Sequence, residues 1–273
     1  MATPNYEQIS SFAQVTGHLK DLAVEEFLSE LDESMTYEEI VEEAVRVAEK
    51  FKMLGSELGA QWYDLCSELA GVEVDPAVLE KYDESLLLER AQGAKNAAIK
   101  TGNAKGVFSD WLRDEIMSSV RETGTQNLWR DYDRGTVGGK WCRVPVGETC
   151  AWCIMLASQG AWYVSRESAL GREPDHYHRD CNCIAVYHAD ANSISGYSAL
   201  QDYKSMYYGA DNARRANASG KTPYPDDLQE RISKAKAEHS AREAERKAMG
   251  LKPIPWSVYN EDLIVMRYQN GLA

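Results

Sequence analysis

Long apolar runs are missing. Nothing in the 273 residues approaches the ~20 consecutive apolar residues that a membrane span needs. The opening residues, Met1-Ala2-Thr3-Pro4-Asn5-Tyr6, hold neither a basic nor an apolar stretch, so no secretory signal is expected there and assembly in a reducing cytoplasm is. Basic residues are scarce in the first hundred positions: 21 Asp/Glu stand against 8 Lys/Arg, so the whole net charge of −13 sits in that segment and the rest of the chain is balanced. An acidic segment repels phosphates, which argues against nucleic-acid reading and for solvation or docking on a basic protein surface.

The usual catalytic signatures are missing too. There is no H-E-x-x-H and no G-x-x-x-x-G-K-[ST] phosphate loop; the glycines of Gly135 to Gly139 read as a hinge. The zinc-deaminase pattern fails twice, since no H-x-E precedes Cys150 and Thr149 stands where a proline belongs. No internal repeat or long low-complexity tract is visible.

What is present is mostly helix. Apolar residues at spacings of three to five predict a helix from Tyr6 to Leu31, interrupted near Gly17. Thr36-x-x-Glu39 is a capping box opening a stripe through Ile40, Ala44, Val47 and Phe51 that runs to about Leu69, with Gly55 and Gly59 placed to bend it or admit a neighbour. Asp75-Pro76 predicts an N-cap and first turn for a helix reaching Lys100. Helical pattern then continues to about Tyr132. Short strands are expected at 141–146, 161–164 and 183–188, with a short helix at 154–157. Helices follow from Leu200, from Asp226 to Met249 and from Glu261 to Gln269. The Asp226 helix is so charged that it is expected to project or to lie on a partner. The fold class is α+β: a helical acidic region over 1–134, a small α+β domain over 135–192 and a helical region over 193–273.

Four of six cysteines fall between Cys150 and Cys183: Cys150-Ala151-Trp152-Cys153, then 24 residues, then His178-Arg179-Asp180-Cys181-Asn182-Cys183. The C-x2-C spacing turns two sulfurs toward one point, and H-x2-C-x-C adds an imidazole and more sulfur, a donor set suited to a structural Zn2+. The expected ligands are Cys150, Cys153, His178 and Cys183, with Cys181 in place of Cys183 and His176 in place of His178 as alternatives. A disulfide between Cys183 and Cys150 or Cys153, and buried thiols without metal, are the competing readings. Cys66 and Cys142 read as core residues, and His18, His188 and His239 as surface or packing residues. The sharper alternative is a metal-dependent hydrolase or toxin-like enzyme with an open zinc site and Glu148 as its base. No catalytic set supports it.

The pieces Arg143-Val144-Pro145, Cys150 to Cys153, Leu156-Ala157-Ser158-Gln159-Gly160, Trp162-Tyr163 and His178 to Cys183 resemble the phage minor head proteins, the Mu F-like head morphogenesis family. Arg179 and Asn182 depart from that family's usual residues and leave the sulfur and imidazole spacing intact. The resemblance implies a non-enzymatic minor capsid protein of a tailed phage, assembled in the host cytoplasm and held in the virion head interior. Its implied partners are the portal or major capsid protein. Packaged DNA would lie nearby without sequence-specific binding, there would be no membrane contact, and an oligomer is compatible with the role.

Overall fold

The structure, a computed structural model, describes residues 2–79, 83–138, 140–147, 149–160, 182–248, 250 and 254–272. The architecture is mostly helical with one two-stranded sheet, consistent with the α+β class. The chain divides into two compact units, Met1–Gly147 with Gly160–Tyr197, and Glu148–Gln159 with Ser198–Ala273. These cuts differ from the three stretches read in the sequence: the strand pair belongs with the N-terminal helices, and the cysteine helix with the C-terminal ones. Among the described residues no helix is long and apolar enough to cross a membrane.

The first unit contains α1 (Tyr6–Glu30), α2 (Tyr37–Ala70), α3 (Glu84–Thr101) and α4 (Ala104–Asp133). Asn5 caps α1 through the Gln8 amide, and Thr36 caps α2 with Glu39 returning to the Thr36 amide, as the capping box predicts. α1 runs unbroken through Gly17, because a single glycine weakens a helix by only about 1 kcal/mol and the buried face of Ile9, Thr16, Ala23 and Phe27 outweighs it. α2 ends at Gly71, whose φ of 66° is the left-handed conformation glycine adopts most readily.

α2 and α4 pack with almost no space between their backbones. A Cβ on Gly59 would stand 2.2 Å from the Val120 carbonyl oxygen, and one on Gly55 2.3 Å from Ser119 Oγ. The two glycines admit a neighbour and do not bend the helix. The core of this unit joins Phe27, Val41, Val47, Phe51, Leu87, Phe108, Trp111, Leu112 and Ile116.

The helix expected from Pro76 begins only at Glu84, with Asp83 as its cap. The reason is competition for the backbone. Arg130 donates to the carbonyls of Asp75 and Pro76, the Asn127 side chain pairs with both the amide and the carbonyl of Val78, and Asp64 accepts from the Ala77 amide. The Asp75 carboxylate is held by Arg134 at 2.5 Å and is not capping a helix. Residues 72–79 therefore stay non-helical, the backbone groups of 75–78 held by side chains of α2 and α4.

β1 (Trp141–Val144) and β2 (Ile184–Tyr187) pair antiparallel, Trp141 opposite Tyr187 and Val144 opposite Ile184. Every residue of both strands is buried. This sheet has no thin core of its own; it uses the helices. Trp62 Nε1 on α2 donates to the Ala185 carbonyl at 2.7 Å, and the Tyr187 ring lies against Gly124 of α4, where a Cβ would come within 2.3 Å of its hydroxyl. The expected strand at 161–164 lies outside the described residues.

The second unit contains α5 (Ala151–Ser158), α6 (Ala199–Ala218), α7 (Asp226–Ala248) and α8 (Val258–Asn270). Its core gathers Ala151, Ile154 and Met155 with Ala210, Leu228, Ile232, Val265 and Met266. α7 buries only Leu228 and Ile232. The rest of its inner side is held by polar contacts. His239 Nε2 donates to the Ile254 carbonyl, Glu243 accepts from the Ile254 amide, and Lys236 lies over the Trp256 ring. The charged helix thus packs within its own unit.

Candidate functional site

Two neighbourhoods carry the chemistry-bearing side chains. The first is the opening turn of α5. Cys150 is its N-cap, extended at φ −75° and ψ 161°, and its Sγ accepts from the Cys153 amide at 3.4 Å. The capping role that Ser or Asp usually fills falls here to sulfur. The spacing then places both cysteines on the first turn. Cys150 is half-buried and Cys153 buried. A helix N-terminus favours an anion, which suits a thiolate donor. The rest of α5 is buried on nearly all sides, and the Tyr203 hydroxyl of α6 reaches Thr149 Oγ1 at 3.3 Å, fixing the approach to the turn. The two cysteines thus share the first turn of α5, Cys150 half-buried and Cys153 buried.

The second neighbourhood lies around the entry to β2. Arg121 of α4 is buried, and its Nε and Nη2 donate to the Cys183 carbonyl at 3.2 and 2.9 Å. Lys20 of α1 stands 3.5 Å from Asn182 Oδ1; burial, and then the Arg121 charge, lower its pKa. Cys183 itself is buried. Of the sequence-predicted ligands, Cys150 and Cys153 share the first turn of α5, and Cys183 immediately precedes β2. His178, the alternatives Cys181 and His176, and Glu148 lie outside the described residues. Among the described residues no group of three or more His, Cys, Asp or Glu side chains is arranged to hold a metal.

Cys66 and Cys142 are core thiols, as expected. Burial pushes Cys66 up to about 12 and raises Cys142 as well, which keeps both protonated and unreactive. His188 is a packing residue with an unusual backbone, the one described non-glycine residue with positive φ, at 57°. Its Nε2 lies 3.1 Å from Ser67 Oγ and its ring 5.6 Å from that of Tyr63. The Ser67 hydroxyl also reaches the Tyr63 carbonyl at 2.9 Å within α2. Tyr63 in turn donates to Asp131, which Arg130 also grips. Burial pulls Asp131 upward, but the bonds from Arg130 and Tyr63 outweigh it and hold the carboxyl below its ordinary value. Burial and that carboxylate together raise the Tyr63 phenol.

Sequence reading missed a buried charge cluster. Lys52 of α2 meets Glu115 of α4 at 2.9 Å, both buried, and Arg90 of α3 adds a second cation at 3.3 Å. Their only sequence signal is position: Lys52 follows Phe51 and Glu115 precedes Ile116, both core residues, where a charge needs a partner.

A family model described as VG15 protein matches residues 6–210. No curated protein and no solved structure matches.

Proposed function

The chain belongs to the VG15 protein family, which is phage-associated, and on that premise we propose that it is a non-enzymatic minor capsid protein of a tailed phage, carried in the head. The observation that carries this reading is the Cys150–Cys153 turn at the head of a buried helix, in a chain whose remaining pieces resemble the Mu F-like minor head proteins. In this reading Cys150 and Cys153 would supply two ligands to a structural Zn2+. A zinc held there by four Cys/His ligands would be structural, since no coordination position would stay open. The acidic helices of the first unit serve as the docking face toward portal or major capsid subunits.

Quantitative mass spectrometry of purified tail-less heads tests the role. The expected result is this chain at a few copies per head, retained after nuclease and high-salt washing. Its absence from heads, with presence only in infected-cell lysate, would remove the virion reading.

A further inference from the structure

The first turn of α5 can do more than donate to a metal. Cys150 and Cys153 stand at the N-cap and the third position of one helix. Their Cα separation is set by the backbone of Ala151 and Trp152 alone, and both are helical. Helical geometry makes it about 5 Å, inside the roughly 4.4–6.8 Å that a disulfide spans. The first side chain is turned the right way. Cys150 is extended at φ −75° and ψ 161°, which brings its sulfur back over the turn, 3.4 Å from the Cys153 amide nitrogen.

The two sulfurs differ in access. Cys66, Cys142, Cys153 and Cys183 are buried, and Cys150 is the one described cysteine that is not. A reagent from solvent therefore meets Cys150 first, with Cys153 next on the same turn. An accessible thiol and a buried neighbour at disulfide spacing are what thiol–disulfide exchange needs. The turn is also held in place, since Ala151, Ile154 and Met155 of α5 pack into the core of their unit.

We infer that Cys150 and Cys153 form a dithiol–disulfide couple whose oxidant is a low-molecular-weight disulfide, RSSR. Cys150 gives its proton to solvent, and its sulfur attacks one sulfur of RSSR. The S–S bond of RSSR breaks, and the departing RS− takes up a proton. Cys153 then gives up its proton and attacks Cys150 Sγ in the mixed disulfide, expelling the second RS−, which is protonated in turn. Two thiols are oxidised, RSSR is reduced to two RSH, and nothing else is consumed. The closed pair keeps no thiolate to bind a metal, so oxidation of this turn and metal retention exclude one another. The inference stands on the turn itself and does not require the zinc proposed above.

The test exposes the full chain to oxidised glutathione in two samples, one treated with chelator and one untreated. Circular dichroism records whether each is folded. Remaining thiols are alkylated and the peptides mapped by mass spectrometry. The expected product in the folded parent is a peptide joining Cys150 to Cys153, two hydrogen atoms lighter than the dithiol. Cys153→Ser should stop with glutathione on Cys150, and Cys150→Ser should lose both products. In the untreated sample a colorimetric chelator should register zinc released as the bond forms, so the test stands even where chelation unfolds the chain. An unmodified Cys150 in both samples, a bond from Cys150 to any other cysteine, or no glutathione on Cys150 in Cys153→Ser would overturn the inference. A zinc-bearing chain that never forms the bond refutes this inference alone. A chain that forms the bond and never holds zinc refutes the metal reading alone.

Discussion

The two units hold themselves together by different means. The first packs large side chains and removes others: Gly55 and Gly59 let α2 and α4 approach to backbone contact, and the charges it buries are paired across three helices. The second has a smaller apolar core, buries the Asp262 carboxylate against Arg214, and carries exposed pairs such as Lys236 with Glu261 beside the polar clasp of α7 over residues 254–256. Close packing resists change in volume, whereas exposed charge pairs contribute only about 0–1 kcal/mol each. The α2–α4 seam of the first unit should therefore be sensitive to single atoms, and the exposed pairs of the second tolerant of change.

The most severe way to test that contrast is Glu115→Leu. It strands Lys52 in the core without its carboxylate and should cost about 3–5 kcal/mol. Denaturant unfolding with Trp fluorescence measures it. Next is Gly59→Ala, which drives a methyl into the Val120 carbonyl and should cost about 1–3 kcal/mol. The matched control, Gly17→Ala, meets no atom within 4 Å and should stabilise by about 0.5–1 kcal/mol. The same substitution thus changes sign with the space around it, and equal effects at both sites would break the packing account.

Smaller effects sharpen the comparison. Lys236→Ala in the second unit loses an exposed ion pair and a ring contact, and should change stability by less than about 1 kcal/mol. His188→Asn keeps a side chain that tolerates positive φ and removes a titrating group. Burial lowers the His188 pKa below 6.5 in the fold, against the opposing charge of Asp131, so the unfolded chain takes up its proton first. Stability from this site is full above the unfolded value and is lost as pH falls toward the folded one. Melting temperatures from pH 7.5 to 5 should accordingly fall less steeply for the variant than for the parent.

Local signals in the sequence survived where nothing distant competed. The Thr36 capping box, the long α2 stripe and the two described strands are read from spacing alone, because each is decided within a few residues. Asp75-Pro76 carries an equally good local signal and fails, since Arg130, Arg134 and Asn127 arrive from 49 to 59 positions away and take the groups a helix would use. Gly17 failed in the opposite sense: burial of its neighbours overrode its weak propensity. The Cys150–Cys153 turn was legible because N-cap geometry and C-x2-C spacing coincide. The charge cluster on Glu115 was not, because no spacing rule joins three helices.

The sulfur turn is where the functional account is most exposed. Elemental analysis of the purified full chain, beside Cys150→Ser and Cys153→Ser, tests it directly. The account predicts about one zinc per parent chain, as a single closed four-ligand site requires, and loss of that zinc in either variant. A parent chain without zinc, folded and unaffected by chelator, would contradict it.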